Sequence, residues 1–186
     1  MLTVPFPGLM LKPVSNACPL ACRYCYYTPE AGHDGTVPRM EDRVLRAALP
    51  PYLATAETAN VTWQGGEPLL AGRGHFEAAV EIIGAARRPG RPVRLSLQTS
   101  GWPLDRAWCR FFRENDFLIG LSLDGPPEIH DLNRRTRDGK GTFDRAKAAL
   151  DLLRDEGVVF NVLTVITPEA AEDPRGLYRF LRGLGL

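Results

Sequence analysis

The strongest constraint on the fold is a regular alternation of short apolar segments with longer amphipathic ones. The apolar segments predict strands at 9–16, 60–64, 93–98, 117–125 and 158–167, the last of them buried. Helices are predicted at 41–53, 76–86 and 105–114, at 143–155, and from Pro168 to near Gly183. Because strands that alternate with helices form parallel sheets, the sequence predicts an α/β fold with five strand–helix units.

Capping residues support two of the predicted helix boundaries. Asp105 is suited to be the N-cap or a first-turn acid of the third helix, and Thr142 to cap the fourth. Gly157 is suited to end that fourth helix. A long polar loop, 125–143, is expected between the fourth strand and this helix.

Composition narrows the function classes. The 186 residues carry 23 basic and 22 acidic side chains, a formal net charge of +1, so we expect neither nucleic acid nor a membrane surface as partner. A basic stretch at 87–94 is expected to be a solvated loop. No apolar run approaches the ~20 residues that span a bilayer. Since Pro5 and Pro7 interrupt the apolar N-terminus, it is a poor signal peptide, and a cytoplasmic location is expected.

Three of the four cysteines lie in one short loop after the first predicted strand. Cys18, Cys22 and Cys25 have the spacing C-x3-C-x2-C. Thiolates are the ligands that iron–sulfur clusters use, and an all-cysteine cluster needs four, so three would leave one iron open to another ligand. The spacing alone also allows a zinc site completed by His33. Cys109, alone on a predicted helix, is expected to be a small buried apolar residue.

Polar residues and glycines follow several predicted strands, where parallel α/β folds bind their ligands. Gly65 and Gly66 follow the second strand and would let the backbone approach a ligand closely, although a tight turn would look the same. Ser122 and Asp124 share one face of the fourth strand. Together with Gln64, Gln98 and Asn161, these residues predict a common polar pocket. The alternative is that each is an ordinary turn residue or a satisfied polar group of the core.

The polar loop 125–143 contributes several cations. One of Arg134, Arg135 and Arg137 could bind a carboxylate with a bidentate guanidinium, while the others would be solvated. His130 is expected to have a structural role.

These motifs carry a family resemblance. The cysteine spacing, with Tyr24 before the last cysteine, resembles the signature of the radical S-adenosylmethionine (radical SAM) superfamily, and Gly65-Gly66-Glu67 resembles its GGE motif. Further segments, from about residue 10 to the end, resemble the anaerobic sulfatase-maturing enzymes, which carry an auxiliary-cluster domain of the SPASM type. These segments are CPLACRYCYY, WQGGEPLLAG, LQTSGWPLD, GLSLDGPPEIHDLNR, GKGTFDRA and FNVLTVIT.

The resemblance implies a (β/α)6 partial barrel, with about five β/α units present. It implies a [4Fe-4S] cluster on Cys18, Cys22 and Cys25, and S-adenosyl-L-methionine as the second cofactor. The residues implied to bind that cofactor are Tyr24, Gln64, Gly65, Gly66, Glu67, Ser122 and Arg134. The implied activity is oxidation of a cysteine or serine of a sulfatase to formylglycine through a 5′-deoxyadenosyl radical.

The family continues for roughly as many residues again. Residues 1–186 are therefore expected to be a truncated radical SAM core domain, without the sixth β/α unit, the C-terminal auxiliary-cluster domain and the catalytic residues beyond 186. The expected partners are a sulfatase or other peptide substrate and an electron donor such as a ferredoxin or flavodoxin. Ser100 stands where the family pattern usually has asparagine. The alternatives are a radical SAM maturase of another peptide and a non-catalytic iron–sulfur or zinc-binding module.

Overall fold

A computed structural model of the chain describes residues 8–27 and 37–186, and these residues contain a five-stranded sheet. The strands are β1 (Leu9–Leu11), β2 (Ala59–Trp63), β3 (Val93–Thr99), β4 (Phe117–Ser122) and β5 (Phe160–Leu163). They lie side by side in chain order, and every neighbouring pair is parallel. The predicted parallel α/β sheet of five strands is confirmed, and the sheet is open rather than closed.

Seven α-helices connect and cover these strands in the described ranges. They are α1 (Asp42–Thr55), α2 (Arg73–Ala86), α3 (Arg106–Glu114), α4 (Pro127–Asn133), α5 (Phe143–Asp155), α6 (Pro168–Ala171) and α7 (Pro174–Gly183), with a 3-10 turn at Pro68–Ala71. None of the helices in these ranges is both long enough and apolar enough to cross a membrane.

An aromatic cluster anchors the middle of the sheet to α2 and α3. Trp63 of β2 lies 5.6 Å from Phe76 and 5.5 Å from Phe117, measured between ring centroids. Phe112 of α3 lies 5.4 Å from Phe117 and completes the cluster. Such pairs contribute about 0.5–1.5 kcal/mol each beyond the burial of their area. Cys109 is fully buried in the same core, which confirms the prediction that it is a small apolar residue.

Both edge strands are shorter than predicted. β1 ends at Leu11 because residues 13–16 form a turn, in which Ser15 has φ = 55°. The strand predicted over 158–167 is present but covers only Phe160–Leu163, and in the described residues it is not buried as predicted. Within the described chain β5 pairs only with β4, and Val159, Leu163 and Ile166 are 69%, 45% and 61% exposed. An edge strand buries less of its side chains than a central one, whatever its apolar content.

The region after β4 contains a helix where the sequence predicted a loop. α4 begins at Pro127, a residue well suited to the first helical turn, within the predicted loop 125–143. The final predicted helix is two helices, α6 and α7. Pro174 disfavours a helical conformation at Asp173, and the Asp173 carboxylate caps α7 by accepting from the Gly176 N–H.

One predicted cap is confirmed and one is replaced. Asp105 accepts a hydrogen bond from the Trp108 N–H at 2.8 Å, as expected of an N-cap. The Thr142 side chain makes no capping bond. Asp131 caps α5 instead, because its Oδ1 accepts from the backbone N–H groups of Thr142 and Phe143 at 2.7 and 2.8 Å.

Candidate functional site

The cysteine loop lies across the carboxyl edge of the sheet, fixed by the segment that follows α4. The Ala21 N–H donates to the Arg135 carbonyl at 2.7 Å, and the Arg23 N–H donates to the Asn133 carbonyl at 2.8 Å. These backbone bonds join segments more than a hundred residues apart in the sequence. The loop therefore owes its position to the end of α4 and the residues directly after it, which lie far from the loop along the chain.

A cavity of about 110 Å³ lies between this loop and the carboxyl ends of β3 and β4. It is lined by Cys18, Leu20, Cys22, Tyr24, Cys25, Gly66, Gln98, Thr99, Ser100, Ser122 and Arg134. The structure thus brings seven of the ten predicted site residues together. Gln64, Gly65 and Glu67 do not line the cavity, and Asn161, predicted for the common polar pocket, is exposed on β5.

The glycine turn after β2 packs against the backbone of the cysteine loop. Gly65 and Gly66 have φ values of +103° and +56°, in the region that favours glycine. A Cβ placed on Gly66 would lie 2.3 Å from the Ala17 carbonyl oxygen. The Glu67 N–H donates to that same oxygen at 2.8 Å. The absence of a side chain at Gly66 therefore sets how closely the turn approaches the cysteine loop.

Glu67 lies beneath the cavity and joins the turns that follow β2 and β3. Its carboxylate accepts from Thr99 Oγ1 at 2.8 Å, from Ser100 N and Oγ at 2.9 and 2.6 Å, and from Leu69 N at 3.3 Å. Burial raises the pKa of the Glu67 carboxyl, and the hydrogen bonds from Ser100 and Thr99 oppose that rise. Sequence reasoning missed the contact between Glu67 and Ser100, although Ser100 directly follows β3 and Glu67 lies in the turn after the neighbouring strand β2.

Asp124 is the centre of a second buried network. Its Oδ2 accepts from the Tyr24 hydroxyl and from Arg134 Nε, the latter at 2.9 Å. Its Oδ1 accepts from Arg134 Nη2 at 3.3 Å and from the Val165 N–H at 3.0 Å. Asp124 is fully buried, so one carboxylate joins the cysteine loop, the end of α4 and the segment after β5. The alternation of β4 predicted its face but could not predict these partners.

Arg134 is the one of the three candidate arginines that lines the cavity. With Nε and Nη2 paired to Asp124, its Nη1 lies 4.0 Å from the Cys22 Sγ. Arg135 and Arg137 are exposed, and Arg137 Nη2 donates to the Cys18 carbonyl at 3.1 Å. The geometry therefore separates a buried arginine at the cavity from two arginines on the outer face of the loop.

The thiols and hydroxyls around the cavity differ in exposure. Burial raises the pKa of the Cys18 thiol to about 12 and also raises that of Cys22, whereas Cys25 is exposed. Gln98 Nε2 donates to Ser122 Oγ at 2.8 Å across the ends of β3 and β4. Thiols with raised pKa values bind iron only with release of their protons, which the positive charge of the iron ions favours.

His130 stabilises the loop after β4 and has no contact with the cavity, in agreement with the predicted structural role. Its Nδ1 accepts from the Asp124 N–H at 3.2 Å, and its Nε2 donates to Thr142 Oγ1 at 3.1 Å. The Thr142 hydroxyl donates in turn to the Arg134 carbonyl at 2.9 Å. Burial, reinforced by the Arg134 charge, lowers the pKa of His130 to about 4, so the ring is neutral in the folded chain.

We expect His130 to make stability depend on pH between about 4 and 6.5. Below pH 6.5 the unfolded chain binds a proton at this ring while the folded chain does not, so the free energy of unfolding falls as the pH falls. Linkage gives about 2–3 kcal/mol over the whole window. Denaturant titrations of the wild type and His130→Gln should show a stability difference that shrinks from pH 7 to pH 4. A difference that is constant with pH would contradict this assignment.

The donor set at the cavity fits an iron–sulfur cluster with an open iron. Three thiols on one loop face a cavity that also holds a buried guanidinium. Among residues 8–27 and 37–186, no three His, Cys, Asp or Glu side chains are close enough to hold one metal ion. A cubane cluster binds each cysteine to a different iron, so its ligands do not converge on one point. His33, the fourth ligand of the zinc alternative, lies outside the described residues.

The cavity is too small to enclose the whole cluster together with its cofactor. Pockets for small molecules usually have volumes of about 300–1,000 Å³. The 110 Å³ enclosed here is smaller, so it holds only part of a cluster with a nucleoside-bearing ligand.

Comparison with known proteins agrees with the site. The chain matches the Radical SAM superfamily over residues 13–181. The serine-type anaerobic sulfatase-maturating enzyme of Klebsiella aerogenes is 39% identical over 98% of this chain and 45% of its own length. The cysteine-type enzyme of Clostridium perfringens is 36% identical over 94% of this chain and 48% of its own length. The chain thus spans about half the length of these relatives.

A solved structure of a related enzyme is also similar to this chain. Native anSMEcpe with bound AdoMet superposes with a TM-score of 0.86 at 36% identity, covering 95% of this chain and 49% of that one. The family match and the AdoMet-bound structure support a [4Fe-4S] cluster and S-adenosylmethionine as the cofactors. The family match includes the cysteine loop and strands β2 to β5, so we conclude that this chain belongs to the radical SAM superfamily.

Proposed function

We propose that the cavity is the site at which a cluster-bound S-adenosylmethionine is cleaved to start radical chemistry. The observation that carries the proposal is the meeting of three cysteine thiols and one buried arginine at a single cavity. In this proposal Cys18, Cys22 and Cys25 each ligate one iron of a [4Fe-4S] cluster. The fourth iron then has no protein ligand and is open to the cofactor.

The residues around the cluster would bind and orient the cofactor. When bound, the reduced cluster and S-adenosylmethionine supply a 5′-deoxyadenosyl radical, which removes a hydrogen atom from the substrate. Arg134 Nη1, the nitrogen that Asp124 does not engage, is placed to bind the methionyl carboxylate. Ser122 Oγ on β4 and the Tyr24 ring on the cysteine loop provide a polar and an aromatic contact in the same cavity.

The turn after β2 contributes through its backbone. Gly65 and Gly66 have no side chains to cover their carbonyl groups, which can accept from the methionyl ammonium. Gln64 begins this turn, and its N–H donates to the Leu11 carbonyl at 3.0 Å. Glu67 holds the turn through its bonds to Thr99 and Ser100, so we assign it a positioning role.

For the substrate, we propose a cysteine or serine of a sulfatase, oxidised to formylglycine. This part rests on the similarity of the chain to sulfatase-maturating enzymes and to a related structure that contains AdoMet and a peptide. A different peptide remains the alternative substrate. We further propose that residues 1–186 are the radical SAM core domain of a longer cytoplasmic protein, which receives its electrons from a ferredoxin or flavodoxin.

A peptide assay tests the substrate. Anaerobically reconstituted protein is given S-adenosylmethionine, dithionite and matched peptides that carry cysteine, serine or alanine at the target position. We expect formylglycine, detected by mass spectrometry and hydrazide capture, from the cysteine or serine peptide and none from the alanine peptide. Formation of 5′-deoxyadenosine without any modified peptide would favour the alternative of another substrate.

A further inference from the structure

The outer surface of the cysteine loop is exposed and basic. We call it the basic face, and it comprises Lys12, Arg23, Cys25, Tyr26, Arg135 and Arg137, all of them exposed. Tyr26 has 78% of its surface accessible and directly follows Cys25. A cluster held by Cys25 would therefore lie close to solvent on this side, with cations around it.

Side-chain contacts connect these residues to the cysteine loop and to one another. Arg23 and Arg135 line one shallow depression of about 350 Å³ beside the loop. Arg137 is tied to the loop through its bond to the Cys18 carbonyl. On the other side, the Lys12 ammonium lies 4.7 Å from the Tyr27 ring centroid, and the Tyr27 ring lies 4.4 Å from that of Tyr26.

Within the described residues, the carboxylates that pair with these cations only partly neutralise their charge. Glu169 pairs with Arg23 at 3.3 Å, but Arg23 keeps 62% of its side chain exposed. Asp138 pairs with Lys140 of the same loop at 2.8 Å. Exposed ion pairs of this kind are weak, with typical values of about 0–1 kcal/mol. A protein partner with a carboxylate-rich surface can therefore compete for these cations.

From this placement we infer that the basic face is the docking surface for a small acidic one-electron donor protein. The inference rests on the proposed radical chemistry, which requires a reduced cluster. The donor loses one electron, the cluster gains it, and no atom is transferred. Electron transfer weakens steeply with distance, so a donor docked over Cys25 and Tyr26 has a short path. Complementary charge would speed its encounter with the chain.

A pair of charge reversals tests the inference. Arg23→Glu combined with Arg135→Glu changes the depression from basic to acidic, and neither residue lines the cavity. The matched control is Arg87→Glu with Arg94→Glu, which makes the same charge change among exposed residues. Arg94 lies near the start of β3, and Arg87 follows α2, so the control pair lies at the opposite edge of the sheet.

The measurement is the rate of cluster reduction in holoprotein by reduced flavodoxin, followed by stopped-flow absorbance at several ionic strengths. We expect the Arg23/Arg135 variant to be reduced at least about tenfold more slowly at low salt, with a flattened salt dependence, and the control variant to match the wild type. Reduction by photoreduced deazaflavin, an uncharged reagent, should be equal in all three proteins. S-adenosylmethionine affinity should also be unchanged.

Two results would overturn the inference. One is equal flavodoxin rates in both double variants. The other is an effect on peptide turnover with the chemical reductant alone, which would assign the face to an acidic substrate. If the charge reversal prevents folding, the milder double variant Arg23→Gln with Arg135→Gln gives the same test. The salt dependence of the wild-type reduction rate gives a second one. If the wild type forms no 5′-deoxyadenosine with dithionite, that result contradicts the proposed function and not only the docking surface.

Discussion

Replacing Asp124 by alanine should lower the free energy of unfolding by about 3–5 kcal/mol, because it leaves the Arg134 guanidinium buried without its counter-ion. The Arg134 side chain is 11% exposed, so water cannot replace the lost carboxylate. The same substitution removes the acceptor of the Tyr24 hydroxyl and of the Val165 N–H. One change therefore loosens the cysteine loop, the end of α4 and the segment after β5 together.

Urea denaturation of the apoprotein measures this effect without interference from the cofactors. The control is a double-mutant cycle with Arg134→Met, which removes the unpaired charge while keeping much of the side-chain volume. The double variant should be more stable than Asp124→Ala alone. A loss below about 1 kcal/mol in Asp124→Ala would place this pair among weak surface ion pairs and contradict its structural role.

Gly66→Ala should weaken S-adenosylmethionine binding by at least about tenfold, a change of about 1.4 kcal/mol. The added methyl group would meet the Ala17 carbonyl oxygen at 2.3 Å, and the Ala17 backbone nitrogen and carbonyl carbon would each lie 3.0 Å away. Residue 66 also has φ = +56°, where alanine is strained by about 1–3 kcal/mol. The turn and the cysteine loop must then move apart, and the cavity between them changes shape.

Calorimetric titration of reconstituted protein with S-adenosylmethionine gives the affinity, and thermal unfolding gives the stability. Gly84→Ala is the matched control, because Gly84 lies on α2 and a Cβ there meets nothing within 4 Å. That helix substitution should leave affinity unchanged and raise stability by up to about 1 kcal/mol. Equal affinities in the two variants would show that the close approach at Gly66 does not shape the cofactor site.

The sheet could be predicted from the sequence because its signals are local. The apolar runs of β2, β3 and β4, the Asp105 cap and the glycine turn at Gly65 and Gly66 each depend on neighbours a few residues away. The clustering of cysteine ligands and the shared face of Ser122 and Asp124 follow from spacing in the same manner. The errors lie at the ends of elements, as at β1, which stops at Leu11 because residues 13–16 form a turn.

The supporting contacts of the site could not be predicted in this way. Glu67 meets Ser100, and Asp124 meets Tyr24 and Arg134, only because parallel strands end at a common edge. Pairings between residues ten to a hundred positions apart leave no mark on a single sequence. The motif identified Glu67 as a cofactor contact, whereas the structure shows its carboxylate occupied by four protein donors.

The central claim is that Cys18, Cys22 and Cys25 hold a cluster that cleaves S-adenosylmethionine. Its most direct test is 5′-deoxyadenosine formation by anaerobically reconstituted protein with dithionite, quantified by liquid chromatography and mass spectrometry. The comparison is between wild type, Cys22→Ala, and Cys109→Ala as a control that removes a buried cysteine outside the site. We predict product from the wild type and Cys109→Ala and none from Cys22→Ala. Product that survives Cys22→Ala, or no product from a wild type that holds about four irons, would contradict the claim.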